Sequence, residues 1–194
     1  MRTSARRSVR PRSPRVVQVI VTLCLLASRR PAHAIDYDVD LEADDASKTA
    51  CVGIVPDDCS LRGAILAAHQ HAGADVINLP AGTYPLSIAG AGEDFAATGD
   101  LDIRDTLQIF GAGAATTIVD GADLDRVFQT DPTGAGTISV TLFDLTIRNG
   151  STAIMANVNA EGGGIRNGAT VPPGTAAGTL HLNFVNVDAN TSAS

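Results

Sequence analysis

The chain has 194 residues, with 14 basic and 21 acidic side chains and a formal net charge of −7. Eight of the basic residues lie in the first 34 positions, so residues 35–194 carry six basic and 21 acidic side chains, a formal charge of −15. A surface this acidic repels nucleic acids and anionic lipids, and neither is an expected partner. Aromatic residues make up 4% of the chain, which suits a narrow core filled by small and β-branched side chains.

Residues 1–34 have the features of a secretory signal peptide. Six arginines precede an apolar stretch over residues 16–27, and Ala32-His33-Ala34 has the small-x-small pattern of a cleavage site. This apolar stretch is too short to span a bilayer as a helix, although an uncleaved membrane anchor is the alternative. We therefore expect a secreted protein, extracellular or on the outer cell surface, with no membrane span in its mature chain.

Residues 35–73 are predicted to form an N-terminal cap made of a strand, a loop and a helix. Residues 35–42 alternate apolar and acidic side chains, which is typical of a strand with one buried face. A helix is predicted from about residue 61 to residue 71, with Ser60 as its N-cap. The apolar stripe of this helix consists of Leu61, Ala64, Ile65 and Ala68.

Cys51 and Cys59 are the only cysteines after residue 34. An even pair of cysteines in a secreted chain predicts a disulfide. The alternative is a metal site that also uses His69 and His71. That spacing matches no zinc pattern, so the disulfide is favoured.

Residues 74–194 consist of short strand patterns between turns rich in glycine, asparagine and aspartate. The apolar–polar–apolar triplets at 140–142 and 145–147 recur further along the chain, with the same spacing between them, at 180–182 and 185–187. The gap between the two triplets of a pair is too short for a helix. Repetition at a fixed spacing predicts a solenoid of stacked parallel strands, with an antiparallel sandwich as the alternative.

The chain stops at Ser194, soon after the last strand pattern. We therefore expect that the natural protein continues beyond this residue and that these residues are a C-terminally truncated solenoid. The alternative is that the open end of the sheet pairs with a second copy, end to end, because an unpaired strand edge invites association.

Three stretches together resemble a known family. They are Cys59-Ser60-Leu61-Arg62-Gly63-Ala64-Ile65, then Gly82-Thr83-Tyr84 with Gly99-Asp100-Leu101-Asp102-Ile103 and Asp125-Arg126-Val127-Phe128, and finally Leu145-Thr146-Ile147-Arg148-Asn149-Gly150. The family is that of the bacterial secreted CSLREA-domain proteins, which are related to the chlamydial polymorphic outer membrane proteins. The resemblance implies an all-β, right-handed parallel β-helix of pectin-lyase-like fold, exposed at the cell surface, and it implies no assigned reaction.

The chain departs from the family pattern at Gly63, where the family has glutamate. Glutamate three residues after Ser60 would complete a capping box. Glycine inside a helix is about 1 kcal/mol less favourable than alanine. We therefore predict that Gly63→Glu raises the melting temperature.

Two acidic groups are candidate cation sites, and no catalytic residue is assigned. Asp100 and Asp102 alternate with apolar residues along one strand pattern, and Asp120, Asp123 and Asp125 cluster at a turn. Calcium prefers carboxylate oxygens, so it is the cofactor that these residues could hold. The interpretation we favour is structural, namely turn formation and solvated strand faces.

The function we expect is that of a non-catalytic adhesive, structural or glycan-binding module, with a polysaccharide or another cell-surface molecule as its partner. The alternative is a polysaccharide lyase or a glycoside hydrolase, because pectin-lyase-like folds carry both. A lyase would need aspartates that hold calcium and an arginine base, and a hydrolase would need two carboxylates beside the scissile bond.

Overall fold

The computed structural model describes residues 33–90, 92–152, 162–169 and 176–192. These residues form one helix, α1, and twelve short strands. The helix is α1 (Leu61–Ala68), and the strands are β1 (Asp36–Asp38), β2 (Asp75–Leu79), β3 (Gly82–Pro85), β4 (Leu101–Ile103), β5 (Leu107–Gly111), β6 (Thr117–Asp120), β7 (Phe128–Thr130), β8 (Ser139–Phe143), β9 (Thr146–Arg148), β10 (Ile165–Asn167), β11 (Thr179–Asn183) and β12 (Asn186–Asp188). The predicted signal peptide lies almost wholly outside the described residues and stays a prediction.

The strands form three parallel sheets. Strand order is β1-β2-β5-β8-β11 in the five-stranded sheet, β3-β6-β9-β12 in the four-stranded sheet and β4-β7-β10 in the three-stranded sheet. From β2 onward each strand therefore pairs with the strand three places later in the chain. The antiparallel sandwich is thereby excluded for the described strands.

The sequence prediction of a right-handed parallel β-helix, or regular solenoid, is corrected by this arrangement. The described residues define an all-β chain with one short helix and three parallel sheets of unequal size, and they do not define a regular solenoid. The prediction extended the repeat at 138–190 back to residue 74. Between residues 74 and 101 the pattern differs, because residues 86–100 separate β3 from β4.

The repeat between residues 138 and 190 is present in the structure as two pairs of neighbouring strands. Strand β11 pairs with β8 so that Leu182 lies beside Leu142, and β12 pairs with β9 so that Val187 lies beside Ile147. Leu142 and Ile147 are fully buried, whereas Leu182 and Val187 are 44% and 51% exposed. The core is therefore made of apolar side chains from paired positions in neighbouring strands. At β11 and β12 the corresponding side chains are largely exposed.

Helix α1 follows its predicted start, and its predicted stripe of four apolar residues is buried. The Ser60 side chain accepts a hydrogen bond from the backbone N–H of Gly63, 2.9 Å away, as an N-cap does. The helix ends at Ala68, earlier than the predicted end at residue 71. A Cβ atom at Gly63 would overlap the backbone carbonyl of Lys48, so the structure contradicts the prediction that glutamate would be an improvement there.

The Cys51–Cys59 disulfide is formed, as predicted. The loop that it closes lies along the edge of β1 that faces away from β2. The backbone N–H of Asp38 donates to the carbonyl of Cys51, and the N–H of Asp40 donates to the carbonyl of Cys59, both at 3.1 Å. This loop thus occupies hydrogen-bonding positions that an exposed edge strand would otherwise offer to another chain.

Candidate functional site

The outward side of the five-stranded sheet, here called the outer face, presents two rows of side chains that run across the strands. Alternation of buried and exposed positions in β2, β5 and β8 sets which residues point outward. The polar row has four polar members, Asp36, Gln108, Thr141 and His181, with Val76 between the first two. The aromatic row is Asp38, Asn78, Phe110, Phe143 and Asn183. With strands about 4.8 Å apart, each row of five extends over roughly 19 Å.

Two phenylalanines form the centre of the aromatic row. The rings of Phe110 and Phe143 are stacked, with centroids 4.4 Å apart and planes inclined by 4°. Both side chains are only partly buried, so together they expose a strip of aromatic carbon. Apolar surface held open on a sheet face and surrounded by polar groups is typical of a binding surface.

Polar groups flank the phenylalanine pair on both sides. The amide of Asn78 donates a hydrogen bond of 2.7 Å to the carboxylate of Asp38, and this contact fixes the side chain in place. Asn183 lies at the other end of the aromatic row, in register with Phe143. The outer face therefore combines amides, two carboxylates and apolar carbon, which are the groups that recognise sugar rings and their hydroxyls.

The sequence interpretation missed this face, although a signal was present. Residues 107–110 read Leu-Gln-Ile-Phe and residues 140–143 read Val-Thr-Leu-Phe, the same apolar–polar–apolar–aromatic order. These two segments are closer together in the chain than the repeated triplets at 140–147 and 180–187, so a single repeat length does not align them all. Only the pairing of β5 with β8 places the two phenylalanines together.

Three of the five predicted cation-binding residues lie close together, but they are buried. Asp100, Asp102 and Asp125 have exposed fractions of 2%, 0% and 1%. Asp100 forms an ion pair of 2.5 Å with Arg126, which is itself buried. The interpretation that Asp100 and Asp102 lie on a solvated strand face is therefore wrong.

The environment of these carboxyls favours their protonated forms. Burial raises the pKa of Asp102 to about 9, and repulsion from the neighbouring Asp100 adds to the rise. Burial also raises the pKa of Asp100 to about 7, against the opposing attraction of Arg126. Burial raises the pKa of Asp125 in the same direction. A pKa raised this far favours the uncharged acid form of Asp102 at neutral pH.

The loop at 92–99 covers this acidic cluster. The backbone N–H of Ala96 donates to a carboxyl oxygen of Asp102 at 3.0 Å. The guanidinium group of Arg62, from α1, donates to the carbonyls of Ala96 and Gly99 at 2.9 and 2.8 Å. This cover was not predictable, because residues 89–99 have no regular apolar pattern.

The other two predicted cation-binding residues do not join the cluster. Asp120 pairs with Arg148 at 2.8 Å and accepts hydrogen bonds from Asn149 and the backbone N–H of Ala122. Partial burial raises the pKa of Asp120, but these hydrogen bonds and the ion pair lower it by more, so the pKa lies below its usual value. Asp123 is exposed, with a left-handed φ of 55°. Turn formation explains both residues.

The described residues contain no group of three or more histidine, cysteine, aspartate or glutamate side chains arranged to hold a metal ion. The carboxyl of Asp102 instead accepts a hydrogen bond from a backbone amide, and that of Asp100 pairs with an arginine. Calcium binding stays a prediction that no observed geometry supports.

No family model, no curated protein and no solved structure matches this chain. The resemblance to CSLREA-domain proteins therefore stays a prediction from the quoted motifs. In the part of the chain that the structure describes, no helix has the length and apolar character needed to cross a membrane.

Proposed function

We propose that the protein is a secreted or cell-surface module that binds a glycan, without catalysis, through the outer face of the five-stranded sheet. The observation that carries the proposal is the stacked pair Phe110 and Phe143, partly exposed at the centre of a row of polar side chains. Export is supported by the signal-peptide features of residues 1–34 and by the Cys51–Cys59 disulfide, which is stable in an oxidising compartment.

The geometry favours binding over turnover. Acid–base catalysis on a polysaccharide needs carboxyl groups that reach the scissile bond. Asp100, Asp102 and Asp125 lie beneath the loop at 92–99, whereas the outer face is open. A rigid, in-register surface is suited to recognition because its groups are ordered before the ligand arrives.

The test is binding of the purified protein to an array of polysaccharides, followed by the same measurement on the double variant Phe110→Ala, Phe143→Ala. We expect a bound glycan whose affinity falls about tenfold or more in this variant, equivalent to about 1.4 kcal/mol or more. The matched control is Ile118→Ala, which removes an outward, partly buried apolar side chain from the four-stranded sheet. That control should bind as the parent does.

Two outcomes contradict the proposal. One is the absence of binding to every polysaccharide on the array. The other is turnover, seen as reducing ends or as unsaturated products absorbing in the ultraviolet, that disappears in Asp100→Asn or Asp102→Asn. Turnover of that kind would establish the enzymatic alternative predicted from the sequence.

A further inference from the structure

We propose that the outer face binds an uncharged, extended polysaccharide that lies across the strands, with one sugar unit over each of β2, β5, β8 and β11. This inference rests on the proposed function and specifies its ligand. It identifies Gln108 and Thr141 as specificity-determining residues and predicts that acidic polysaccharides are rejected.

The direction of the ligand follows from the spacing of the rows. Neighbouring side chains in a row are separated by the strand spacing of about 4.8 Å, and the two rows are separated by two residues along a strand, roughly 7 Å. An extended chain of β-linked pyranoses advances with each sugar by a distance close to the strand spacing of about 4.8 Å. A polysaccharide that lies along the rows therefore meets an equivalent position on each strand. A polysaccharide that lies along one strand would contact only one of the two phenylalanine rings.

The aromatic row has a symmetrical order that suits such a chain. Asn78, Phe110, Phe143 and Asn183 follow one another on the four strands. The two central sugars would pack their apolar faces against the strip of aromatic carbon, because stripping water from this surface is favourable. The two outer sugars would receive hydrogen bonds from the asparagine amides.

The polar row supplies the hydroxyl contacts. Gln108 lies two residues before Phe110 on β5, and Thr141 lies two residues before Phe143 on β8. Both side chains are partly exposed and point to the same side of the sheet as the phenylalanines. A sugar centred on the aromatic strip therefore has its ring hydroxyls within reach of an amide and a hydroxyl group.

The charge of the face selects an uncharged ligand. The rows contain no lysine or arginine, and both end on β1 in a carboxylate, Asp36 in the polar row and Asp38 in the aromatic row. Residues 35–194 carry a formal charge of −15. A uronic acid polymer would meet repulsion at short range from the aspartates and at long range from the whole surface.

The test is calorimetric titration of the purified protein with neutral β-linked gluco-, manno- and galacto-oligosaccharides of increasing length, and with the corresponding uronides. We expect affinity to rise with each added sugar until all four strands are covered and to level off beyond that length. The best neutral series should bind about tenfold or more tightly than its uronide. Gln108→Ala and Thr141→Val should each weaken binding severalfold, and Ile118→Ala should not.

The outcomes separate this inference from the proposed function. A preference for uronides, an affinity that does not depend on length, or full affinity in both Gln108→Ala and Thr141→Val would overturn the inference while leaving glycan binding by the outer face intact. Failure of every oligosaccharide and of every polysaccharide on the array would overturn both. Melting curves of the variants, matched to the parent, exclude unfolding as the cause of a loss.

Discussion

The backbone carbonyl of Lys48 lies directly against the Cα of Gly63, in the space that a side chain at residue 63 would need. The contact joins the segment just before Cys51 to the first turn of helix α1. The same segment is bonded to the helix start by the N–H of Ser60, which donates to the carbonyl of Lys48 at 3.2 Å. Glycine at this position is therefore required by close packing of two backbone segments.

We predict that Gly63→Ala destabilises the protein, although alanine is the better helix former. Overpacking of this kind costs about 1–3 kcal/mol, more than the roughly 1 kcal/mol that alanine gains by helix propensity. Gly63→Glu should be worse, because its side chain is longer. The measurement is the free energy of unfolding in urea. The control is Gly53→Ala, where an added Cβ meets no atom within 4 Å. A rise in stability for Gly63→Ala would contradict the observed contact.

Protonation of Asp102 predicts an unusual pH dependence of stability. Below pH about 4 this carboxyl is protonated in both the folded and the unfolded chain, because its unperturbed pKa is 3.8. Between pH about 4 and about 9 the unfolded chain loses the proton and the folded protein keeps it. The folded state then binds more protons, so this residue makes stability fall as pH rises through that window.

The measurement compares melting temperatures of the parent and of Asp102→Asn from pH 5 to pH 9. Asparagine resembles the protonated acid and does not titrate, so the melting temperature of the parent should fall steadily relative to that of Asp102→Asn as pH rises. Asp123→Asn makes the same substitution at an exposed position and serves as the control. A constant difference between parent and Asp102→Asn at all pH values would show that Asp102 is ionised in the folded protein.

Features that depend on local pattern could be predicted from the sequence. The strands at 139–148 and 179–188 were predictable because the same apolar alternation occurs in both segments. The structure adds that the left-handed corners recur as well, at Asp144 with Phe184 and at Asn149 with Ala189. Helix α1 was predictable because Ser60 precedes an apolar stripe. Both features are encoded by residues that are close together in the chain.

Features that depend on contacts between segments distant in the chain were not predictable. Alternation around Asp102 indicates that its side chain points away from Leu101 and Ile103, but it does not show that residues 92–99 fold over it. The stack of Phe110 on Phe143 needs the register of β5 against β8. The regularity of residues 74–194 was overestimated for the same reason, since the two copies of the repeat after residue 138 carried no information on residues 74–100.

The disulfide loop is predicted to stabilise the fold and to protect the edge of β1. Replacing both Cys51 and Cys59 by serine should cost about 2–3 kcal/mol, because the closed loop is short. The amides of Asp38 and Asp40 should also exchange faster with solvent, since their acceptors are the carbonyls of the two cysteines. The checks are urea unfolding and amide hydrogen exchange. Unchanged exchange at these two amides would show that the loop keeps its position without the disulfide.

Arg62 is predicted to make a large contribution to stability, because its ion pair with Asp44 is almost completely buried. It is 1% exposed and binds the carboxylate of Asp44 through two nitrogens, Nε at 2.5 Å and Nη2 at 3.1 Å. It also donates to carbonyls of the loop that covers Asp102. Arg62→Ala leaves a buried aspartate without its cation, a change that costs about 3–5 kcal/mol. Unfolding in urea gives the free energy, and limited proteolysis should show earlier cleavage at residues 89–99.

The matched comparison is Arg148→Ala. Arg148 also pairs with an aspartate, Asp120, at 2.8 Å, but 39% of its side chain is exposed. A pair with one partner this open to solvent contributes at most about 1 kcal/mol, because water already solvates the Arg148 guanidinium. We therefore expect the two arginine variants to differ by several-fold in destabilisation, with proteolysis near 89–99 accelerated only in Arg62→Ala. Equal losses would mean that the burial of the Arg62–Asp44 pair does not determine its energy, and that the loop over Asp102 is held by other contacts.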